Sequence, residues 1–241
     1  MPKTSVEYAT DQITVYRYCP YQCRYCWAWR IPLFANRIKR GRYDPVEEAK
    51  RYVKLKDKRV IVVSFTSDPY PPIENYKKLT RKVLEVLARS HHRVMVLTKN
   101  PCMALRDQDI FLKGDFWLGT TIVTERFNNT LEPYAPSFLS RFHALEVAKC
   151  LGIKTWISIE PIIPEYTNPE SIIEFSHRYV DYYVLGAFNY YKQLGFNYSK
   201  YELMKWYYLH VTEAIKLLEK YHKPYTVKKE LKKYLEVASY A

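Results

Sequence analysis

Short apolar runs alternate with helix-periodic stretches along this chain, and that alternation constrains the fold more than any other feature. Strand-like runs occupy residues 13–18, 60–66, 94–98, 116–123, 155–159 and 182–187. Helix starts fall between them: Asp44-Pro45-Val-Glu47 and Asn168-Pro169-Glu170 each place a capping side chain before a proline suited to the first helical position. Leu79, Val83, Val86 and Leu87 share one helical face, as do Leu203, Tyr207, His210, Val211, Ala214 and Leu218. Six strand-then-helix units in series call for a parallel sheet with right-handed crossovers. A complete barrel needs about eight such units, so this series predicts a partial, open α/β barrel of the TIM type. A chain of 241 residues fits one such domain. The basic stretch 222–233 would add a short strand and a last helix, making residues 200–241 a basic helical segment packed on the barrel.

Side chains at the C-terminal ends of parallel strands line the active face of such a fold. Those ends are polar here. Ser64, Thr66, Ser67 and Asp68 follow the second run, Thr98, Lys99 and Asn100 the third, Thr120, Thr121 and Thr124 the fourth, and Ser158 with Glu160 the fifth. His91 and His92 precede the third run and belong to the opposite, stability-bearing end. With 38 Lys and Arg against 25 Asp and Glu the chain carries +13, which favours a polyanion such as nucleic acid, although Lys- and Tyr-rich compositions also drift basic. No apolar segment approaches the roughly 18 residues of a membrane span. The opening Met1-Pro-Lys-Thr-Ser-Val-Glu7 lacks a basic start followed by an apolar run, so a soluble, cytoplasmic protein is expected.

Three of the five cysteines lie within eight residues, as Cys19-x3-Cys23-x2-Cys26, directly after the first strand run. An odd cysteine count argues against a disulfide framework and for metal or redox chemistry. A structural zinc normally takes four protein ligands, and no other Cys or His precedes residue 91. Thiolates also suit iron–sulfur clusters. The ferredoxin patterns supply four cysteines, whereas three would leave one iron open to bind a small molecule.

In this loop the residues resemble the radical S-adenosylmethionine (SAM) enzymes, whose hallmark is a Cys-x3-Cys-x-aromatic-Cys loop after the first strand of a partial barrel; the aromatic here is Tyr25. The likeness is closest to the spore photoproduct lyase-like branch of predicted DNA repair lyases. It runs through Thr66-Ser-Asp68, Leu97-Thr-Lys99, Glu132-Pro-Tyr-Ala-Pro136 with Arg141, and Glu160-Pro-Ile-Ile-Pro164. The resemblance implies a [4Fe-4S] cluster on Cys19, Cys23 and Cys26, whose open iron chelates the amino and carboxylate groups of SAM. An electron from a donor such as ferredoxin or flavodoxin then cleaves the sulfonium to methionine and a 5′-deoxyadenosyl radical. The resemblance places Tyr25 near the adenine, and Ser67, Lys99 and Thr120 at SAM-contacting positions. Lys99 can pair with the methionine carboxylate; the plain alternative is a solvated lysine at a strand end. Arg141, in the first turn of a helix where the dipole disfavours a cation, would bind an anion or be an ordinary surface arginine. Glu160 would meet a ribose hydroxyl, or be a core carboxylate satisfied by backbone amides.

One position departs from the lyases. Two residues before the Ser of the Thr-Ser-Asp motif they carry a cysteine that returns a hydrogen atom to the product radical, and here Phe65 stands instead. Cys102, three residues after Lys99, is a candidate donor, or else a small residue opening a helix over 103–111; Cys150 reads as core packing. Tyr190-Tyr191, beyond the sixth run, is placed to face the mouth of the barrel. The expected protein is a radical SAM enzyme, lyase- or repair-like, acting on a nucleic acid. The alternatives are the same cofactors acting on a peptide, protein or small molecule, and a non-enzymatic nucleic-acid-binding barrel whose cysteines hold a structural metal.

Overall fold

A computed structural model describes residues 6–40, 43–125 and 130–238; residues 1–5 of the opening stretch and 239–241 of the tail lie outside them. Seven strands form one sheet in sequence order: β1 (Asp11–Ile13), β2 (Val60–Val63), β3 (Arg93–Leu97), β4 (Phe116–Thr121), β5 (Lys154–Ile162), β6 (Tyr182–Ala187) and β7 (Tyr225–Val227). Every neighbouring pair is parallel, and β1 and β7 are free edges of the sheet, so the barrel is open. The helices are α1 (Trp27–Arg30), α2 (Pro32–Arg40), α3 (Pro45–Val53), α4 (Glu74–Lys77), α5 (Leu79–Leu87), α6 (Pro101–Ala104), α7 (Gln108–Phe111), α8 (Phe138–Cys150), α9 (Pro169–Ser176), α10 (Lys200–Lys220) and α11 (Lys229–Ala238). Among the described residues no helix is long and apolar enough to cross a membrane.

Strand alternation divides the interior in two. Ile61, Val63, Val94, Val96, Leu118, Ile157 and Leu185 point outward and pack with Val83, Leu84, Leu145, Ile173 and Val211 of the helix layer. Their neighbours Val62, Met95, Trp156 and Val184 point inward and, with Tyr8, fill the floor of the half-barrel. The caps read from the sequence form as the side-chain chemistry requires: Asp44 accepts from the amides of Val46 and Glu47, and Asn168 from that of Ser171. On α10, Leu203, Tyr207, Val211, Ala214 and Leu218 are buried, but His210 is half-buried and its Nδ1 lies 2.8 Å from Glu170 Oε1, so the apolar face is one residue narrower than expected.

Other elements also depart from expectation. β1 ends at Ile13 rather than continuing to residue 18, because Ser64 takes over the ladder: its hydroxyl donates to Ile13 O and accepts from Val15 N at 2.9 Å. The single helix expected over 103–111 is broken by a 3-10 turn, Leu105–Asp107. The Asp107 carboxylate is drawn inward to the Tyr70 hydroxyl (3.0 Å) and Arg81 (3.0 Å), which prevents a straight helix. Cys150 is exposed at the end of α8, not packed in the core; Gly152, at φ +84°, turns the chain out of the helix there. His92, expected at the stability-bearing end, is buried with Nδ1 accepting from Arg59 N at 3.2 Å.

The open side of the half-barrel is spanned by the two ends of the described chain. Glu7 Oε1 accepts from Lys229 N at 2.6 Å, a contact between residues 222 positions apart. Residues 6–9 thereby run beneath the sheet, with the Tyr8 and Trp156 rings 5.3 Å apart.

Candidate active site

The C-terminal ends of the strands surround a cavity of about 380 Å³. Cys19, Cys23, Tyr25 and Cys26 form one wall, Ser67, Asp68 and Lys99 the next, Thr121 and Ser158 the back, and Glu160, Lys228 and Glu230 the far side. The cysteine loop is docked rather than free. Arg24 N donates to Leu131 O at 2.9 Å, the Tyr25 hydroxyl donates to Glu132, and Tyr21, Cys23 and Tyr25 pack on Val123, Leu131, Ile163 and Phe188. Burial pushes the Cys19 thiol up to about 11 and the Cys23 thiol up to about 12, and raises that of Cys26. Such thiols are inert unless a metal supplies the charge that ionises them. A structural zinc takes four protein ligands, and this loop brings three thiols to the cavity. A four-iron cluster offers each thiolate its own iron, and three thiols on one cavity wall fit it with one iron left open.

Beside the thiols lies a buried charge network centred on Glu132. Its carboxylate receives the Tyr25 hydroxyl and Arg141 Nη2, and Lys99 Nζ lies 3.4 Å away. Burial alone would raise the Glu132 carboxyl, but Arg141 and Lys99 outweigh it and hold it at about 2. Burial opposes the charged form of Lys99, and Glu132, Cys23 and Asp68 together outweigh it and raise its ammonium. Two cations, Arg141 and Lys99, thus face Glu132 beside the cysteines, with the Asp68 carboxyl on the other side of Lys99. Asp68 fixes the Lys99 backbone, accepting from Lys99 N and Thr98 Oγ1 at 2.7 Å each; burial raises its carboxyl. Lys99 Nζ also stands 5.4 Å over the Tyr25 ring. Lys99 is therefore a paired, half-buried cation and not a solvated one.

The other expected residues distribute unevenly. Ser67 lines the cavity and donates its hydroxyl to Tyr16 O, and Phe65 faces the cavity as well. Arg141 is 2% exposed, so it is no surface arginine; Nε donates to Pro136 O and Nη1 to Thr121 O, both at 2.9 Å. It is not among the lining residues and acts on the cavity through Glu132 and Thr121. Thr120 falls on the same face of β4 as the outward Leu118, with its buried hydroxyl unpartnered among the described residues, while Thr121 next to it lines the cavity. Cys102 is exposed on α6 with its thiol on Ser140, outside the lining. Glu160 lines the cavity and is paired at Oε1 with Lys228 rather than held by backbone amides, Nζ to Oε1 being 2.6 Å. Reading the sequence missed Thr121, Glu132 and Lys228 as site residues. The Glu-Pro-Tyr-Ala-Pro stretch marks the Glu132 loop, whereas nothing in the periodicity of the tail singles out Lys228.

Comparison with known proteins agrees with this arrangement. The family model of the Radical SAM superfamily matches residues 13–179. An uncharacterized protein of Methanocaldococcus jannaschii is 33% identical over 192 residues, 77% of this chain and 73% of that one. An uncharacterized protein of Acidianus two-tailed virus is 28% identical over 120 residues, 48% of this chain and 39% of its own length. Among solved structures, a spore photoproduct lyase variant superposes with a TM-score of 0.67 at 16% identity, covering 93% of this chain and 77% of that one. Streptococcus suis SuiB bound to S-adenosylmethionine gives 0.62 at 15% identity, covering 90% of this chain and 50% of SuiB. The shared fold, the family match over most of the half-barrel and the three thiols at its mouth lead to one assignment: the chain belongs to the radical SAM superfamily and is an enzyme whose cofactors are a [4Fe-4S] cluster and SAM.

Proposed function

We propose that Cys19, Cys23 and Cys26 hold the cluster, that Tyr25, Ser67, Lys99, Thr121 and Glu160 receive SAM, and that the enzyme acts on an unpaired base of a nucleic acid in a lyase- or repair-like reaction. In this reading it works in the cytoplasm with an external electron donor such as ferredoxin or flavodoxin. The observation that carries the reading is the composition of the cavity at the strand ends. Three thiols and a half-buried Lys99 occupy one side, and four rings, Trp27, Phe34, Phe65 and Tyr190, stand round the mouth at centroid separations of 5.0 to 6.2 Å. Bound there, the cofactors supply a 5′-deoxyadenosyl radical. Lys99 offers its ammonium to a carboxylate, Asp68 keeps the Lys99 backbone in place, and Glu132 holds the Tyr25 ring beside it. The aromatic walls offer flat faces on which a base stacks. The charge of +13 suits a phosphate backbone, and one fold neighbour, spore photoproduct lyase, has been solved with dinucleoside spore photoproduct.

The test is anaerobic reconstitution followed by reduction. Reduced enzyme should release 5′-deoxyadenosine from SAM, faster with single-stranded DNA or RNA than alone, and a deuterated oligonucleotide should pass deuterium into it. Deuterium transfer from a deuterated peptide mixture, with none from nucleic acid, would replace the nucleic-acid reading by the peptide alternative. Because Phe65 stands at the donor position and Cys102 lies outside the cavity lining, clean conversion of spore photoproduct to two thymines is not expected.

A further inference from the structure

Lys228 follows β7, the strand contributed by the tail, and its side chain, only 8% exposed, reaches the far wall of the cavity. Nζ lies 2.6 Å from Glu160 Oε1 and 5.5 Å from the centre of the Phe65 ring. Glu160 is gripped at its stem too. It lies across Gly186 of β6, where an added Cβ would stand 2.6 Å from Glu160 Cγ and 2.7 Å from Cδ. Among the described residues the second carboxylate oxygen, Oε2, makes no hydrogen bond. Burying two charges on a cavity wall is costly, and a bridge kept for stability would use both oxygens. A missing side chain below and a cation at one oxygen instead fix the direction of the other.

We propose that Lys228 and Gly186 are positioning residues for Glu160, holding it as an oriented carboxylate whose Oε2 accepts from the ribose hydroxyls of SAM. The inference rests on the assignment of Glu160 to SAM made above. The surroundings of Glu160 make Lys228 decisive. Burial pushes its carboxyl up and Glu7 and Glu230 at the cavity edge add to that; Lys228 is the cation that opposes them, and the carboxyl stays raised even with Lys228 in place. Without it the carboxyl would be pushed up further, and a protonated carboxyl is a poorer acceptor.

The experiment measures SAM dissociation constants on cluster-loaded, unreduced enzyme, so that binding is read without turnover, from about pH 6 to 9. Wild-type affinity should change less with pH than that of a variant without the cation. Lys228→Met should bind SAM about tenfold more weakly at neutral pH, the size of a lost charge-assisted hydrogen bond, and regain affinity as pH rises and Glu160 ionises. Lys228→Arg should restore the wild-type profile. Gly186→Ala, which displaces Glu160 with Lys228 intact, should weaken binding as well. In a Glu160→Gln background, adding Lys228→Met should cost nothing further. Unchanged affinity in Lys228→Met, or an equal loss in the Glu160→Gln background, would overturn the proposal. Far-UV circular dichroism checks folding, and Gly186→Ala and Glu160→Gln carry the test if Lys228→Met fails to fold. A wild type that binds no SAM would instead sink the assignment of the site, a separate outcome.

Discussion

At neutral pH the Glu132 carboxylate is ionised between two cations, Arg141 and Lys99, with Tyr25 donating to it. Glu132→Gln would leave those cations without their counter-charge, and truncating one side of a buried ion pair costs about 3–5 kcal/mol. A lowered urea midpoint at unchanged m-value should show it. Because the Glu132 carboxyl is held at about 2, below its ordinary 4.5, its contribution is complete above the ordinary value and fades as the medium is acidified toward 2. The gap in stability between wild type and Glu132→Gln should therefore be constant from about pH 5 to 8 and shrink in acid. The threonines give a second test. Thr120→Val removes a buried hydroxyl that has no partner among the described residues, so it should leave SAM binding intact and raise stability, or leave it unchanged, within about 1 kcal/mol. Thr121→Val should weaken SAM binding, and the reverse ranking in a binding titration would show that the two faces have been exchanged. Sequence motifs drew attention to this strand end, whereas which of Thr120 and Thr121 lines the cavity turns on one residue of register. The face is decided by Gly119 against Trp156, a contact between strands that no local pattern contains.

That same contact sets an element-scale prediction. A Cβ on Gly119 of β4 would lie 2.2 Å from Trp156 Nε1, and Trp156 of β5 is fully buried. Gly119→Ala should destabilise the fold by about 1–3 kcal/mol, and Trp156→Phe in the same chain should recover part of the loss in thermal unfolding. The cysteine loop is the opposite case. Its side chains pack in a small cluster with Val123, Ile163 and Phe188, apart from the main core between sheet and helices. Replacing Cys19, Cys23 and Cys26 by Ala should abolish the visible absorbance and iron content of reconstituted protein while far-UV circular dichroism persists. Iron retained at the wild-type level would refute the ligand assignment. Strand order and the Asp44 and Asn168 caps were legible because hydrophobic period and capping chemistry are local. The break in the 103–111 helix was not, since it depends on Asp107 meeting Tyr70 and Arg81, which the fold brings from 37 and 26 residues away.

For the molecule as a whole, the parallel half-barrel follows from the strand–helix alternation, while the closing of its open side by Glu7 and Lys229 does not, being a contact with no sequence signature. The net charge of +13 also acts at this scale. If nucleic acid is the substrate, log affinity should fall with log salt at a slope of about −0.9 per phosphate neutralised on duplex DNA and about −0.7 on single strands, measured by fluorescence anisotropy. Salt-independent binding would remove the phosphate backbone from the account.

The clasp between Glu7 and Lys229 has a consequence in time as well as space. The three thiols leave the ribosome well before the far wall of their cavity, which is not made until Lys228, 202 positions after Cys26. At about 5–20 residues per second of synthesis, the cysteine loop waits about 10–40 s before the wall opposite it exists. For that interval the thiols are open to oxidants and stray metals, and a cluster inserted early would face solvent across an unfinished pocket. The order of the chain thus makes loading of the cofactors a task for the finished protein, or for a partner that shields the nascent loop until the last strand docks.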